Sequence, residues 1–223
     1  RARDAFRHPV ETLAFFRVEP GMTVVDYMPS TGWWTRILVP YLGTGGRYVG
    51  INPDVRAVDE RMRPMFANLS ATLPAKVTEW TGVPGESVGA YNTDSLPATM
   101  NGTVDRVLIF REMHNLWRMN MMHRELTAMR RLLKDDGLLG IEQHRARPDA
   151  GGVRAVCQAQ IRSMMVPLDS APPAHMVISA VDLPVRSSSC RAVVISRLPV
   201  LPTGWPSAMA PPLTFTLSMS ALY

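Results

Sequence analysis

Hydrophobic and polar positions along this chain switch between a helical and a strand period, and the switches lay out the elements. Residues 3–16 place Leu13, Phe15 and Phe16 on one side of a helical repeat and read as an opening helix, with Pro9 suited to a first turn. Glu19-Pro20-Gly21 is a turn. Thr23–Met28 reads as the first strand, and residues 31–42 return to helical spacing before closing on Gly43, Gly45 and Gly46. RYVGI, residues 47–51, is the second strand. Residues 54–73 read as largely helical, with Pro64 as a break or kink. Lys76–Trp80 reads as a short third strand, and the Gly-, Pro-, Asn- and Ser-rich residues 81–102 read as a loop. VDRVLIF, residues 104–110, has the β-branched apolar run of a buried parallel strand. Leu116, Met119, Met122, Leu126, Met129 and Leu133 recur at three- and four-residue steps, which predicts one helix over 116–134 whose methionines fill the core. Asp135-Asp136-Gly137 ends it, and LLGIE, residues 138–142, is the fifth strand.

Strands alternating with helices imply right-handed crossovers and a parallel sheet. The expected fold class is α/β, a Rossmann-like doubly wound, mostly parallel sheet. Ligands of such sheets sit beyond the carboxyl ends of the strands, near the point where strand order reverses. Candidate site residues therefore follow strands one, two and four. The chain changes character near Asp149. Residues 151–223 hold five Arg, no Lys, two acids, ten Ser and nine of the 19 Pro. A helix over 153–165 and strands over 191–197 and 213–219 are expected there. Residues 1–149 read as one domain, and 150–223 as an irregular segment that packs on the sheet or completes it.

The chain of 223 residues is long enough for one domain with a full core. Its hydrophobic share of 46% and charged share of 19% are ordinary for a globular protein. No apolar run reaches the roughly 18–20 residues of a membrane span. The chain begins at Arg1 without Met, and the expectation is a missing N-terminal piece: a signal peptide, a tag or a chosen start. The net charge of +5 comes mostly from scattered Arg. The densest group, Arg124, Arg130, Arg131 and Lys134, has the spacing of a solvated helix face, so a small-molecule partner is expected ahead of nucleic acid. Cys157 and Cys190 form no CxxC pair and read as free thiols, although an exported protein could bridge them. The five His show no ligand spacing, and no metal is expected. The oligomeric state is left open.

The chemistry concentrates in VVDYMPSTGWWTRIL, residues 24–38. An apolar strand ends in an acid, a tight turn follows, and a helix begins, which is how a ligand-cradling turn looks in sequence. Together with RDAFRHPVETLAFF, FREMHNLWR and GLLGIEQHRARP, this stretch resembles class I S-adenosylmethionine-dependent methyltransferases, and within them a bacterial subgroup whose acceptors are undefined. The likeness covers residues 1–149. Members of that subgroup often resemble exported proteins, which implies a periplasmic location for a chain lacking its leader and a cytoplasmic one otherwise.

The resemblance implies S-adenosylmethionine as cofactor and a small-molecule acceptor. It implies cofactor contacts from Asp26, Pro29, Ser30, Thr31, Gly32 and Trp33 after strand one, and from Phe110 at the end of strand four. Ser30 and Thr31 stand where the subgroup has glycines, so their side chains either narrow the pocket or supply hydroxyl hydrogen bonds. Asn52, with Asp54 beside it, takes the place of the acid that binds ribose hydroxyls. Asp94, Ser95 and Leu96 resemble the adenine-side loop. Each has a plainer role open to it, Asn52 as a turn residue before Pro53, Asp94 as a loop acid, and Trp33 as core. Arg111, Glu112, His114 and Asn115 follow strand four, where acceptors lie. His114 and Arg111 are the catalytic candidates, with His114 as a general base, or else His114 and Asn115 cap the next helix. The tail after about 150 does not resemble the family, and one expectation is a shifted reading frame there, which the coding DNA tests. Two rival functions stand beside methyl transfer. One is a non-catalytic ligand- or partner-binding protein that has lost the cofactor. The weaker is a hydrolase, for which no GxSxG elbow is present.

Overall fold

A computed structural model describes residues 7–144, 176–182 and 190–197. In chain order the elements are helix α1 (Pro9–Phe15), strand β1 (Thr23–Tyr27), α2 (Thr35–Leu42), β2 (Arg47–Asn52), α3 (Arg63–Ala67), α4 (Leu69–Thr81) and β3 (Gly89–Asn92). There follow β4 (Val104–Phe110), α5 (Met113–Arg118), α6 (Met122–Leu132), β5 (Leu133–His144), β6 (Met176–Asp182) and β7 (Cys190–Arg197). The seven strands form one sheet in the order β3-β2-β1-β4-β5-β7-β6. β1 to β5 run parallel, and β7 lies antiparallel between β5 and β6. Strand order reverses between β1 and β4, as the α/β reading requires. Among the described residues no helix is long and apolar enough to cross a membrane.

The core forms because successive strand residues face opposite sides of the sheet. Val25, Tyr27, Val49, Ile51, Val107 and Ile109 pack on one face with Phe66, Met113, Leu116, Leu126 and Met129 from α3, α5 and α6. Val24, Tyr48, Leu108 and Phe110 pack on the other with Phe16, Trp34, Leu38, Leu42, Leu73 and Val77, largely from α2 and α4.

Several sequence expectations need correction. Lys76–Trp80 is not a strand but belongs to the last part of α4, because Leu73 and Val77, four apart, bury one helical face against the sheet. The third strand lies instead in the expected loop, at Gly89–Asn92. A Cβ on Gly89 would come within 3.1 Å of both Val49 methyls, so a glycine, which hydrophobic patterning does not register, lets β3 pair with β2 without displacing them. Pro64 does not break a helix but begins one, in the first turn of α3. The helix expected from residue 31 starts at Thr35, after a turn. The single helix expected over 116–134 is two. Asn120 takes a left-handed conformation (φ 54°) that ends α5, and Asn tolerates this better than most residues. Asp135-Asp136-Gly137 lies inside a longer β5. There the pairing slips from Val104–Leu133 to Arg106–Leu138, so residues 134–137 bulge opposite Asp105. The strand expected at 191–197 is β7, and β6 has no counterpart among the expected strands. The helix expected over 153–165 and the strand over 213–219 lie outside the described residues, as does Cys157.

A buried carboxylate ties the carboxyl edge of the sheet together. Glu125 of α6 has no exposed surface. It accepts hydrogen bonds from the Tyr27 hydroxyl at 2.9 Å, from the Thr93 hydroxyl and from the Asp54 backbone N–H at 3.4 Å. These partners belong to the ends of β1, β3 and β2. Burial pushes its carboxyl above the ordinary glutamate range, and the three donors pull it back. Replacing Glu125 by Ala orphans the buried Tyr27 hydroxyl, whereas the Thr93 hydroxyl keeps the Asn52 carbonyl at 3.0 Å, and Glu125→Gln retains an acceptor for Tyr27. Urea unfolding should show a loss on the order of 3 kcal/mol for E125A and a clearly smaller loss for E125Q.

Candidate functional site

A cavity of about 740 Å³ opens at the carboxyl edge of the sheet, where strand order reverses. Met28 and Ser30, just after β1, and Asn52, the last residue of β2, lie on the sheet side. The segment from Met62 to Leu69 and the first half of α4, with Thr72 and Lys76, form one wall. Glu112, Asn115, Arg118 and Met119, following β4, form the other.

The turn after β1 carries strain at Ser30, one of the two positions where glycines are expected, and at Met28, where none is. Met28 (φ 57°) and Ser30 (φ 52°) are both left-handed, and so is Arg111 (φ 64°) after β4. Ser30 therefore sits in a conformation that only glycine adopts without penalty, whereas Thr31 does not. Gly32 closes the turn by donating its N–H to the Pro29 carbonyl at 2.8 Å. It combines φ 72° with a position where a Cβ would lie 2.0 Å from the Trp80 ring, so this glycine is required by packing as well as by the turn.

Of the residues named from the sequence, Ser30 and Asn52 line the cavity. Asp26 is 2% exposed and faces α2 rather than the cavity. It accepts from the Tyr48 hydroxyl at 2.9 Å and from Thr35 at 3.5 Å, and burial pushes its carboxyl up to about 7. Pro29 is buried and Thr31 exposed. Trp33 meets Trp34 edge-on, beneath the Arg7 guanidinium, and Trp34 stacks on Phe110 at 4.0 Å, so these rings form a core column. Asn52 donates its amide to the Phe66 carbonyl at 3.2 Å, a bond that Asp at this position could not make.

Asp54 is gripped by Arg56 through two nitrogens and by Arg124 at 2.9 Å, which holds its carboxyl below the ordinary range. Asp94 also pairs with Arg56, at 3.5 Å. Ser95 exchanges hydrogen bonds with the Asn92 backbone, and Leu96 packs on the core.

Arg111 bonds Glu142 with its side chain at 3.1 Å and its backbone N–H at 2.7 Å. His114 lies in the first turn of α5, with Nδ1 3.2 Å from Gln143. Neither Arg111 nor His114 lines the cavity. The acid that does is Glu112, which accepts from the Asn115 amide at 2.7 Å and is raised by burial. The helical stripe predicts core methionines. Met122 and Met129 are core, but Met119 lines the cavity with Met28, Met62 and Met65. The cluster RMRPMFANL, residues 61–69, is the sequence signal for that wall.

No protein-family model matches the chain, and no curated protein matches it in sequence. Solved structures do match in fold. A SAM-dependent methyltransferase from Aquifex aeolicus aligns over 89% of this chain and 94% of its own, at TM-score 0.60 and 19% identity. The 1,6-didemethyltoxoflavin-N1-methyltransferase of Burkholderia thailandensis covers 86% and 78%, at 0.53 and 12%. A TehB-like SAM-dependent methyltransferase from Corynebacterium glutamicum covers 83% and 85%, at 0.53 and 11%. The chain has the α/β fold, with a mostly parallel sheet, typical of class I methyltransferases.

Two substitutions test the turn. Ser30→Gly should raise stability by about 0.5–1 kcal/mol in urea unfolding, because the left-handed penalty exceeds the added unfolded-state entropy. Thr31→Gly should give no gain. Asp26 supplies a pH test. In the folded chain it keeps its proton up to about pH 7, and in the unfolded chain only to about its ordinary 3.8. The folded state then binds more protons in that window, so stability falls as pH rises through it. The Asp26→Asn substitution would keep an acceptor for Tyr48 and remove the titration. Between about pH 4 and about pH 8 the native protein should lose on the order of 2–4 kcal/mol relative to D26N. Parallel stability curves would show that Asp26 is ionised throughout.

Proposed function

We propose that the protein transfers a methyl group from S-adenosylmethionine to a small-molecule acceptor, with both bound in the cavity at the carboxyl edge of the sheet. The observation that carries this reading is the coincidence of that cavity with the reversal of strand order in a fold typical of class I methyltransferases. A volume of about 740 Å³ lies within the range of roughly 300–1,000 Å³ usual for small-molecule sites.

The residues present fit such a cofactor in kind. Asn52 would meet the ribose hydroxyls with its carbonyl oxygen and its remaining amide hydrogen. The Ser30 turn would hold the methionine portion, and Phe66 and Leu69 would flank the base. When bound, the cofactor supplies an electrophilic methyl group on a sulfonium. Transfer needs chiefly a nucleophile held in line with that group, so this chain's task is orientation and exclusion of water. Glu112, fixed by Asn115, is the cavity group able to take a proton from the acceptor. Arg111 and His114 support that loop from behind through Glu142 and Gln143.

One feature favours the non-catalytic alternative. Asp54 and Asp94 are both engaged by Arg56, which leaves Asn52 as the polar group at the β2 tip that lines the cavity. Calorimetry decides between the two readings. S-adenosylhomocysteine should bind the native protein with micromolar affinity, and Asn52→Ala should weaken it about tenfold, the worth of one or two hydrogen bonds. Absence of binding at millimolar ligand would leave the fold as a non-catalytic scaffold.

A further inference from the structure

Cations around the carboxyl edge of the sheet fall into two groups. Arg56 and Arg124 are spent on Asp54, Arg56 also on Asp94, and Arg111 on Glu142. Lys76 of α4 and Arg118 of α5 differ. Their side chains line the cavity from its two walls, and among the described residues neither makes an ion pair or a side-chain hydrogen bond. The acid lining the same cavity is Glu112, already held by Asn115. Around these charges the wall is apolar and deformable, with Met28, Met62, Met65 and Met119 contributing flexible thioether side chains.

We infer that Lys76 and Arg118 form an anion-binding pair in this cavity, and that the methyl acceptor is an apolar molecule bearing a carboxylate or phosphate. Arg118 offers a planar fork suited to either group, and Lys76 a point charge on a flexible stem. The two cations outnumber the one carboxylate among the cavity's lining residues, Glu112, so the lining carries an excess of positive charge that favours a ligand of the opposite sign. The methionine wall suits an apolar body without fixing its shape, which is how such side chains serve binding surfaces that take more than one ligand. Only the word acceptor rests on the methyl-transfer reading; the anion pair rests on the cavity alone.

The same charges could instead meet the carboxylate of the cofactor's own methionine portion, and the test separates the two sources. Calorimetry with the native protein, Lys76→Met, Arg118→Met and the double variant uses two probe pairs. The first pair is naphthalene-2-carboxylate and its neutral carboxamide. The second is S-adenosylhomocysteine and 5′-methylthioadenosine, which lacks the amino-acid carboxylate. The carboxylate should bind the native protein about tenfold or more tightly than the amide, as charge-assisted hydrogen bonds allow, and the double variant should lose that preference. S-Adenosylhomocysteine binding should be unchanged in the variants. Equal binding of acid and amide, binding of neither, or a preference that survives in the double variant overturns the pair. Weakened S-adenosylhomocysteine with unchanged methylthioadenosine assigns the charges to the cofactor and overturns the acceptor inference. A carboxylate preference in a protein that binds no S-adenosylhomocysteine leaves the anion pair standing and removes the methyl-transfer reading. Circular dichroism of each variant guards against misfolding, since both side chains are exposed and their loss should leave the spectrum unchanged.

Discussion

The carboxylate of Glu125 is the interaction on which the working edge of this molecule depends. Parallel strands end in loops that have no ladder partners, and each loop must find another way to satisfy its polar groups. Glu125 reaches from α6 to all three strands on its side of the reversal and accepts from a hydroxyl or N–H at each tip. Deprived of water, it is costly to bury and still more costly to leave unpaired, so its three donors are held in place as much as they hold it. The geometry of the loops after β1, β2 and β3 is thereby one problem with one solution. The cavity opens beside these loops, with Met28 and Asn52 on its sheet side and Met62, Met65 and Met119 in its walls.

A second carboxylate, Asp26, shows how the same chemical group serves a different end. In sequence it reads as the acid of a ligand-binding turn. In the structure it turns to the opposite face of the sheet, where Tyr48 and Thr35 enclose it. Strand alternation decides this, because Asp26 shares a face with Val24 and not with Val25 and Tyr27. Its contribution to the turn is to fasten α2 to β1 and β2, so that the turn between them is held at both ends.

Much of this was legible in the sequence. The alternation of strands and helices predicts the mostly parallel α/β sheet, and Ser30 and Asn52, named on the family resemblance, line the cavity. The errors share a cause. Patterning records which residues are apolar, but the boundaries are set by conformation. Asn120 ends a helix whose apolar stripe runs on past it, and Gly89 allows a strand whose four residues, GAYN, carry little hydrophobic signal. KVTEW looks like a strand because Val77, Thr78 and Trp80 favour one, yet Val77 completes a helical face begun at Leu73. The walls of the cavity are hidden for a related reason. Lys76, Arg118 and Met119 come from elements whose turns about their own axes must be known before their side chains can be assigned to a common space.

The position of β7 has a consequence for how the chain is made. β6 leaves the ribosome before β7, yet among the described strands it pairs with β7, which in turn pairs with β5. The flank of β5 therefore stays open until residue 197 is synthesised, and β6 has no template to dock on in the interval. An exposed parallel edge is a surface on which other chains can add. The interval between the synthesis of β6 and that of β7 is thus a period in which β5 and β6 both lack this partner, and a chain cut before β7 would leave both in that condition.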